Sequence, residues 1–292
     1  MSVYTYYPGC SLESTACEYD ASVRAVFKAL EVELHELEEW NCCGASSAHC
    51  VNPVLALALP ARNLALAQSL GHDLVLPCAA CFNRHKSADY ELRHDPDRRS
   101  ELEAIVGFRY QGNIAVRPLL EVLTIGVGLE SIRGRVKRPL GGLKAVAYYG
   151  CLLVRPPQVT QFENPENPRL MNQLLETLGA EAVDWSYATE CCGGGLSLTK
   201  SSAAARLVNR LAERAREAGA AAMVTSCPLC QINLEMRQSG TQKLPIFYFT
   251  ELMGLAFGLP EAESWWGKHL IDPRPLLAEI KSLQPASAKR DW

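Results

Sequence analysis

A chain of 292 residues, 48% hydrophobic and 21% charged, has the composition of a soluble globular protein and is long for one compact core. A formal net charge of -3 is at odds with the basic surplus of a nucleic-acid binder, and no apolar run approaches the ~20 residues that cross a bilayer. No basic stretch followed by an apolar one opens the sequence, so the expected location is the cytoplasm, where twelve cysteines read as metal or redox ligands rather than disulfides.

Residues 3–7 are a β-type run that Pro8-Gly9 releases into Cys10. Residues 20–30 carry Val23, Val26, Phe27 and Leu30 at helical spacing. Residues 31–40 alternate, with Val32, Leu34 and Leu37 mostly inward, and lead into Asn41-Cys42-Cys43-Gly44. An Ala- and Leu-rich helical pattern over 53–70, with Pro60 marking a kink or a break, ends at Gly71. A short buried-type strand at 73–76 then runs into Pro77-Cys78-Ala79-Ala80-Cys81, and 81–93 reads as a helix. That sets thiols at a helix amino terminus, where the macrodipole favours thiolate. Residues 94–100 read as a charged loop, 116–127 as a helix and 133–142 as a linker.

The second half repeats the plan. Residues 144–149 are a strand ending in Tyr149-Gly150-Cys151, an echo of Tyr7-Pro8-Gly9-Cys10. A polar, proline-rich insertion at 155–168 precedes a helix at 169–178 and a strand at 182–185. A helix at 201–218, a strand at 222–225 and a helix at 228–236 follow, the last with Pro228 early, where proline is tolerated. Even the ends match, EVLTIGVGL at 121–129 against ELMGLAFGL at 251–259. The expected class is α/β: two pseudo-symmetric halves, each with a small mainly parallel sheet flanked by helices, and ligands at the carboxyl ends of strands. The expected units are an amino-terminal domain 1–132, a linker 133–143, a carboxyl-terminal domain 144–260, and a tail 261–292 whose Trp265-Trp266 would cover a surface or dock a partner.

Ten of the twelve cysteines fall into one duplicated pattern, Cys10, Cys42, Cys43, Cys78, Cys81 and Cys151, Cys191, Cys192, Cys227, Cys230. The gap from the vicinal pair to the Cys-x-x-Cys is 34 residues in both copies, whereas the first gap is 31 in one and 39 in the other, a difference the 155–168 insertion absorbs. Thiolates are soft ligands that suit iron-sulfur clusters, zinc or Cu(I), and ordinary cubane clusters take four cysteines. Five per half suggest an unusual cluster or one cysteine left for chemistry. Adjacent cysteines do not easily serve one metal, so a polynuclear or bridged site is favoured over mononuclear zinc, with zinc in one half as the alternative. Cys17 and Cys50 have no counterparts in the second half and read as small buried hydrophobes.

The two copies, with glycine after each vicinal pair, resemble the CCG domain of the heterodisulfide reductase B subunit over almost the whole chain. Tyr149-Gly150-Cys151-Leu152-Leu153-Val154-Arg155-Pro156 and Glu190-Cys191-Cys192-Gly193-Gly194 add to the likeness. Relatives in succinate, lactate, glycolate and glycerol-3-phosphate oxidation and in sulfite reduction share such motifs, commonly as fusions or in altered form. The resemblance implies that each set of five cysteines holds a noncubane [4Fe-4S] cluster, one thiolate bridging irons. It implies a disulfide substrate split between the two clusters, with one electron from each. It also implies partners, a small ferredoxin-like protein with two ordinary [4Fe-4S] clusters and a flavoprotein, the C and A subunits of such a complex. In methanogens the disulfide is that of coenzymes M and B; related bacterial complexes serve sulfur oxidation or electron bifurcation with other thiols. An anionic substrate would want basic residues, and Arg84, His85, Arg155 and Lys200 stand close in sequence to the cysteines. A second reading is an electron-transfer component of another redox complex, in bacterial sulfur oxidation or linked to a quinone or dehydrogenase, with one redox-active cluster. A third is a structural zinc protein.

Overall fold

The computed structural model describes residues 2–45 and 47–283. The first half runs β1 (Val3–Tyr6), α1 (Cys17–Ala29), β2 (Glu33–Glu36), α2 (Pro53–Leu70), β3 (Leu74–Leu76), α3 (Ala79–His94), α4 (Pro96–Val106) and β4 (Val116–Pro118). The second runs β5 (Lys144–Tyr148), α5 (Leu170–Thr177), β6 (Glu181–Ala182), α6 (Ser201–Glu217), β7 (Ala222–Thr225), α7 (Pro228–Arg237), β8 (Ile246–Tyr248) and α8 (Phe249–Phe257). A last helix, α9, covers Arg274–Leu283.

Each half builds a four-stranded sheet with the same order, β2-β1-β3-β4 and β6-β5-β7-β8, and every pairing is parallel. Parallel sheets need both faces covered, which is why β3 and β7 are buried along their whole length. The duplication read from the cysteines is therefore also a duplication of topology.

Several local expectations are revised. The helix over Pro53–Leu70 runs unbroken through Pro60; Asn52 caps it by accepting from the Val54 and Leu55 N–H groups, and burial of Ala61, Leu64 and Ala67 outweighs the one missing N–H. The loop expected at 94–100 is the start of α4, because Asp95 accepts from Arg98 N at 2.9 Å and Pro96 occupies the first turn. The helix expected over 116–127 begins as strand β4 and turns helical only at Leu119. Its counterpart β8 is equally short and leads directly into α8.

The two halves share one buried core. Helix α1 precedes β2 in sequence, yet it packs on α8 of the other half, where Ser22 Oγ and Thr250 Oγ1 lie 2.6 Å apart. The connecting segment is tied to the second half by Lys137 N and Arg138 N, which both donate to Ala256 O at 2.9 Å. Trp265 and Trp266 of the tail pack onto the second half. Both are buried, Trp265 over Gly254, where a Cβ would stand 2.6 Å from the indole, and Trp266 edge-on to Phe247. The remainder of the tail, 284–292, lies outside the described residues. Among the described residues no helix is long and apolar enough to cross a membrane.

Candidate metal centre

The cysteines come from the carboxyl ends of three strands in each half. Cys10 follows β1, Cys42-Cys43 follow β2, and Cys78 follows β3 as the N-cap of α3, with Cys81 one turn in; Cys151, Cys191-Cys192, Cys227 and Cys230 take the equivalent places. Topology thus gathers thiols that lie far apart in sequence. Cys42 Sγ is 3.6 Å from Cys10 Sγ, Cys43 Sγ is 3.4 Å from Cys81 Sγ, and Cys192 Sγ is 3.4 Å from Cys230 Sγ. In the second half Cys151 and Cys191 are near enough to shift each other's ionisation, and Cys191 Sγ accepts from Gly193 N at 3.3 Å. The two sets also approach each other, because the Tyr19 hydroxyl reaches both Pro77 O at 3.0 Å and Ser226 O at 3.3 Å, the carbonyls just before Cys78 and Cys227, and these two thiols influence each other's ionisation. Each set has a buried floor, Cys43, Cys78, Cys81 and Cys192, Cys227, Cys230, and a rim that is open at Cys10, Cys42 and Cys191 and partly open at Cys151.

The backbone around the thiols repeats as well. Gly44 and Gly193, after each vicinal pair, take φ of +71° and +77°. A Cβ on Gly44 would stand 2.6 Å from Ala48 Cβ, and one on Gly193 3.1 Å from Ala204 Cα. Only glycine fits both the angle and the space. The Tyr7 hydroxyl donates to Asn41 O at 2.9 Å, and the Tyr148 hydroxyl to Glu190 O at 2.8 Å. Each tyrosine, three residues before the first cysteine of its set, therefore fixes the peptide that leads into the vicinal pair. From the helix side, Arg84 donates to Ala45 O at 3.1 Å and Asn233 to Cys192 O at 2.8 Å. One brace crosses between halves: Asn83 Nδ2, on α3, donates to Leu152 O at 3.0 Å and Arg155 O at 2.8 Å, holding the turn that follows Cys151.

The electrostatics of the thiols follow from crowding. Hydrogen bonds from Cys42 and then Cys81 draw Cys43 down to about 3, and the bond from Cys151 draws Cys191 down to about 6. The donors are driven the other way, Cys42 and Cys81 by Cys43, Cys151 by Cys191 and Cys230 by Cys192. Sulfurs this close and this buried cannot all ionise without a cation among them. Among the described residues no three cysteine, histidine or acidic side chains are arranged to hold a single metal ion. A set of soft thiols with glycine turns at its edge and no carboxylate within it fits iron-sulfur chemistry or zinc.

The four basic residues do not converge. Arg84 is spent on Ala45 O. His85 is fully buried, its Nδ1 on Cys81 O at 2.8 Å and its Nε2 facing Asn63 Nδ2 at 3.1 Å, and burial holds its pKa below the usual value. Arg155 pairs with Glu166 at 3.0 Å, and Lys200 is exposed just ahead of α6. Cys50 is exposed, on the single helical turn Ala48–Val51, and Cys17 is half-buried; neither is the buried hydrophobe expected of it. The sequence alone does not single out Tyr7, Tyr148, Asn63 or Asn83. The two tyrosines leave a trace there, in the repeated Tyr before each first cysteine, whereas the asparagines leave none.

The CCG cysteine-rich domain family matches residues 4–84 and 145–235, so both copies of the motif fall within it. The chain is similar to the 8-methylmenaquinol:fumarate reductase membrane anchor subunit of Wolinella succinogenes, 34% identical over 94% of this chain and 98% of that one. It is also similar to a protein of Archaeoglobus profundus described as like the heterodisulfide reductase B subunit, 31% identical over 88% of this chain and 91% of that one. A hypothetical protein of Helicobacter pylori shares the fold, with a TM-score of 0.68 at 11% identity over 90% of this chain and 50% of that one. The chain belongs to the CCG cysteine-rich family, among proteins like the heterodisulfide reductase B subunit.

Proposed function

We propose that this chain is the iron-sulfur subunit of a multisubunit oxidoreductase of the heterodisulfide reductase type. Each half would hold a noncubane [4Fe-4S] cluster, on Cys10, Cys42, Cys43, Cys78 and Cys81 in one and on Cys151, Cys191, Cys192, Cys227 and Cys230 in the other. Bound there, such clusters supply one-electron transfer. The observation that carries the reading is that the two five-thiol sets come together: the carbonyls just before Cys78 and Cys227, Pro77 O and Ser226 O, lie 3.0 and 3.3 Å from one hydroxyl, that of Tyr19. The chain's own part is to place and insulate: the buried floor keeps water from the inner thiolates, while the rim at Cys10, Cys42, Cys151 and Cys191 leaves one side for a partner or substrate.

Splitting a disulfide into two thiolates takes two electrons, and two joined one-electron sites match that number. The Archaeoglobus relative supports this reaction, with the small ferredoxin-like protein and the flavoprotein of the resemblance as partners. A second reading is favoured by the Wolinella relative and by Arg84 and Arg155 being engaged already: a relay in a quinol-linked complex, with no disulfide bound. An anaerobic assay separates the two. Oxidation of a reduced viologen dye by candidate disulfides, dependent on this chain, supports the first. Reduction of its centres by a menaquinol analogue, with every disulfide inert, supports the second.

A further inference from the structure

Helix α1 brings a buried acidic side chain to the contact between the halves. Glu18, 4% exposed, lies on α1, which packs on α8, and the charged groups that act on it are Glu251 of α8, His269 of the tail and Glu235 of α7. His269 is fully engaged: Nδ1 is 2.9 Å from Glu235 Oε1 and Nε2 is 3.0 Å from Glu251 Oε1. With a carboxylate at each nitrogen the ring is an imidazolium that donates twice, and its pKa is raised to about 10. The outer oxygens are satisfied too, Glu251 by Tyr248 N at 2.8 Å and Glu235 by Leu270 N at 2.7 Å. That triad already carries one excess negative charge. Glu18 forms no ion pair among the described residues: its side chain meets the Cys17 thiol at 3.9 Å and its own backbone N–H, and the latter only partly offsets its burial. Burial above all, then the Glu251 carboxylate, raises its carboxyl above the ordinary range.

The next residue along α1 leads to the thiols. The Tyr19 ring stacks on Tyr248 with centroids 4.0 Å apart, and its hydroxyl lies 3.0 Å from Pro77 O and 3.3 Å from Ser226 O, the carbonyls just before Cys78 and Cys227. A single helical turn thus places the carboxyl of Glu18 on one side of the tyrosine stack and the meeting point of the two thiol sets on the other. The buried Tyr248 ring lies within electrostatic reach of both the Glu18 carboxylate and the Cys227 thiol, and the Tyr19 ring within reach of Cys78 and Cys227.

We propose that Glu18 is a proton-loading site, which takes a proton from solvent when one of the two centres that approach each other at Cys78 and Cys227 gains an electron and returns it when the electron leaves. The inference rests on the iron-sulfur reading. Per turnover, one electron from a one-electron donor reduces the centre and one proton converts the Glu18 carboxylate to the acid, so the buried region gains no net charge. Cys17, half-buried beside it, marks the side open to solvent.

The test is a potentiometric titration of the anaerobically purified protein, with dithionite as donor and EPR as readout, repeated from about pH 6 to 9, the range buried glutamates reach. The midpoint of at least one centre is expected to fall with pH by up to ~59 mV per unit, the one-electron equivalent of a tenfold change in proton concentration. In Glu18→Gln the slope flattens. A pH-independent midpoint in the unaltered protein, or a slope that survives Glu18→Gln, overturns the proposal. Redox-difference infrared spectra of the unaltered protein give an answer that needs no variant: a carboxylic acid C=O band must grow on reduction, and its absence is equally fatal. Iron and sulfide content, measured first, separates the two failures. Protein with only zinc overturns the cluster reading and this site together, whereas redox-active clusters with a flat midpoint overturn the proton site alone.

Discussion

Tyr7 and Tyr148 do the same task in the two halves, each hydroxyl holding the carbonyl that precedes a vicinal cysteine pair. Removing one takes a donor from a part-buried carbonyl, a cost of about 1 kcal/mol that is smaller at Asn41 O, which Asn63 Nδ2 also reaches at 2.8 Å. Tyr148→Phe and Tyr7→Phe are each expected to lower the urea midpoint accordingly; unchanged midpoints would show that the bonds are incidental. Gly193→Ala is harsher, because a side chain at φ +77° is strained and its Cβ would stand 2.9 Å from Leu207 Cδ1. The strain alone is worth about 1–3 kcal/mol. Metal bound by the second half should be lost while the first half keeps its own, so metal analysis should find about half the normal content per chain. At this scale the sequence is most legible where chemistry depends on residue type alone, as with the cysteines and their glycines. It is silent on Asn63 and Asn83, whose roles depend on which carbonyls the fold places opposite them.

Short elements are the hardest to read. Three residues, Val116–Pro118 or Ile246–Tyr248, are too few to show a period, and each strand passes straight into a helix, so the helical pattern masks it. The tail is unreadable for a different reason, since its anchoring depends on a histidine whose partners lie 34 and 18 residues away, Glu235 and Glu251. That anchor has a predictable pH signature. The His269 pKa is raised from 6.5 to about 10, so its stabilisation is complete below 6.5 and is lost as pH rises through about 10. His269→Gln breaks a buried ion pair and is expected to cost about 3–5 kcal/mol at neutral pH. The difference in unfolding free energy between variant and parent should shrink as pH rises towards 10. A difference that stays constant over that range would mean that packing, not charge, holds the tail.

Across the whole molecule, the duplication is visible without any coordinates, in the identical 34-residue spacing of the two cysteine sets. What sequence cannot show is that the halves close on each other, with Tyr19 joining the peptides before Cys78 and Cys227, α1 on α8, and Asn83 reaching over to the Cys151 turn. Contacts of this kind have no local pattern, because neither partner's neighbours in sequence announce the other. Asn83→Leu tests the dependence directly. It leaves two buried carbonyls without a donor, at about 1–3 kcal/mol each, in the half that does not contain the substitution. The EPR signal of the second-half centre should change while the first keeps its own; a change confined to the first half would contradict the cross-half brace.

Whether ten cysteines hold two iron-sulfur centres is decided by iron, acid-labile sulfide and zinc per chain in protein purified without oxygen, with EPR of its oxidised and reduced states. Two [4Fe-4S] clusters require about eight irons and eight sulfides per chain, with no zinc. About four irons with zinc in the other half would contradict a paired centre and leave a one-cluster relay, and zinc alone would remove redox chemistry from the account altogether.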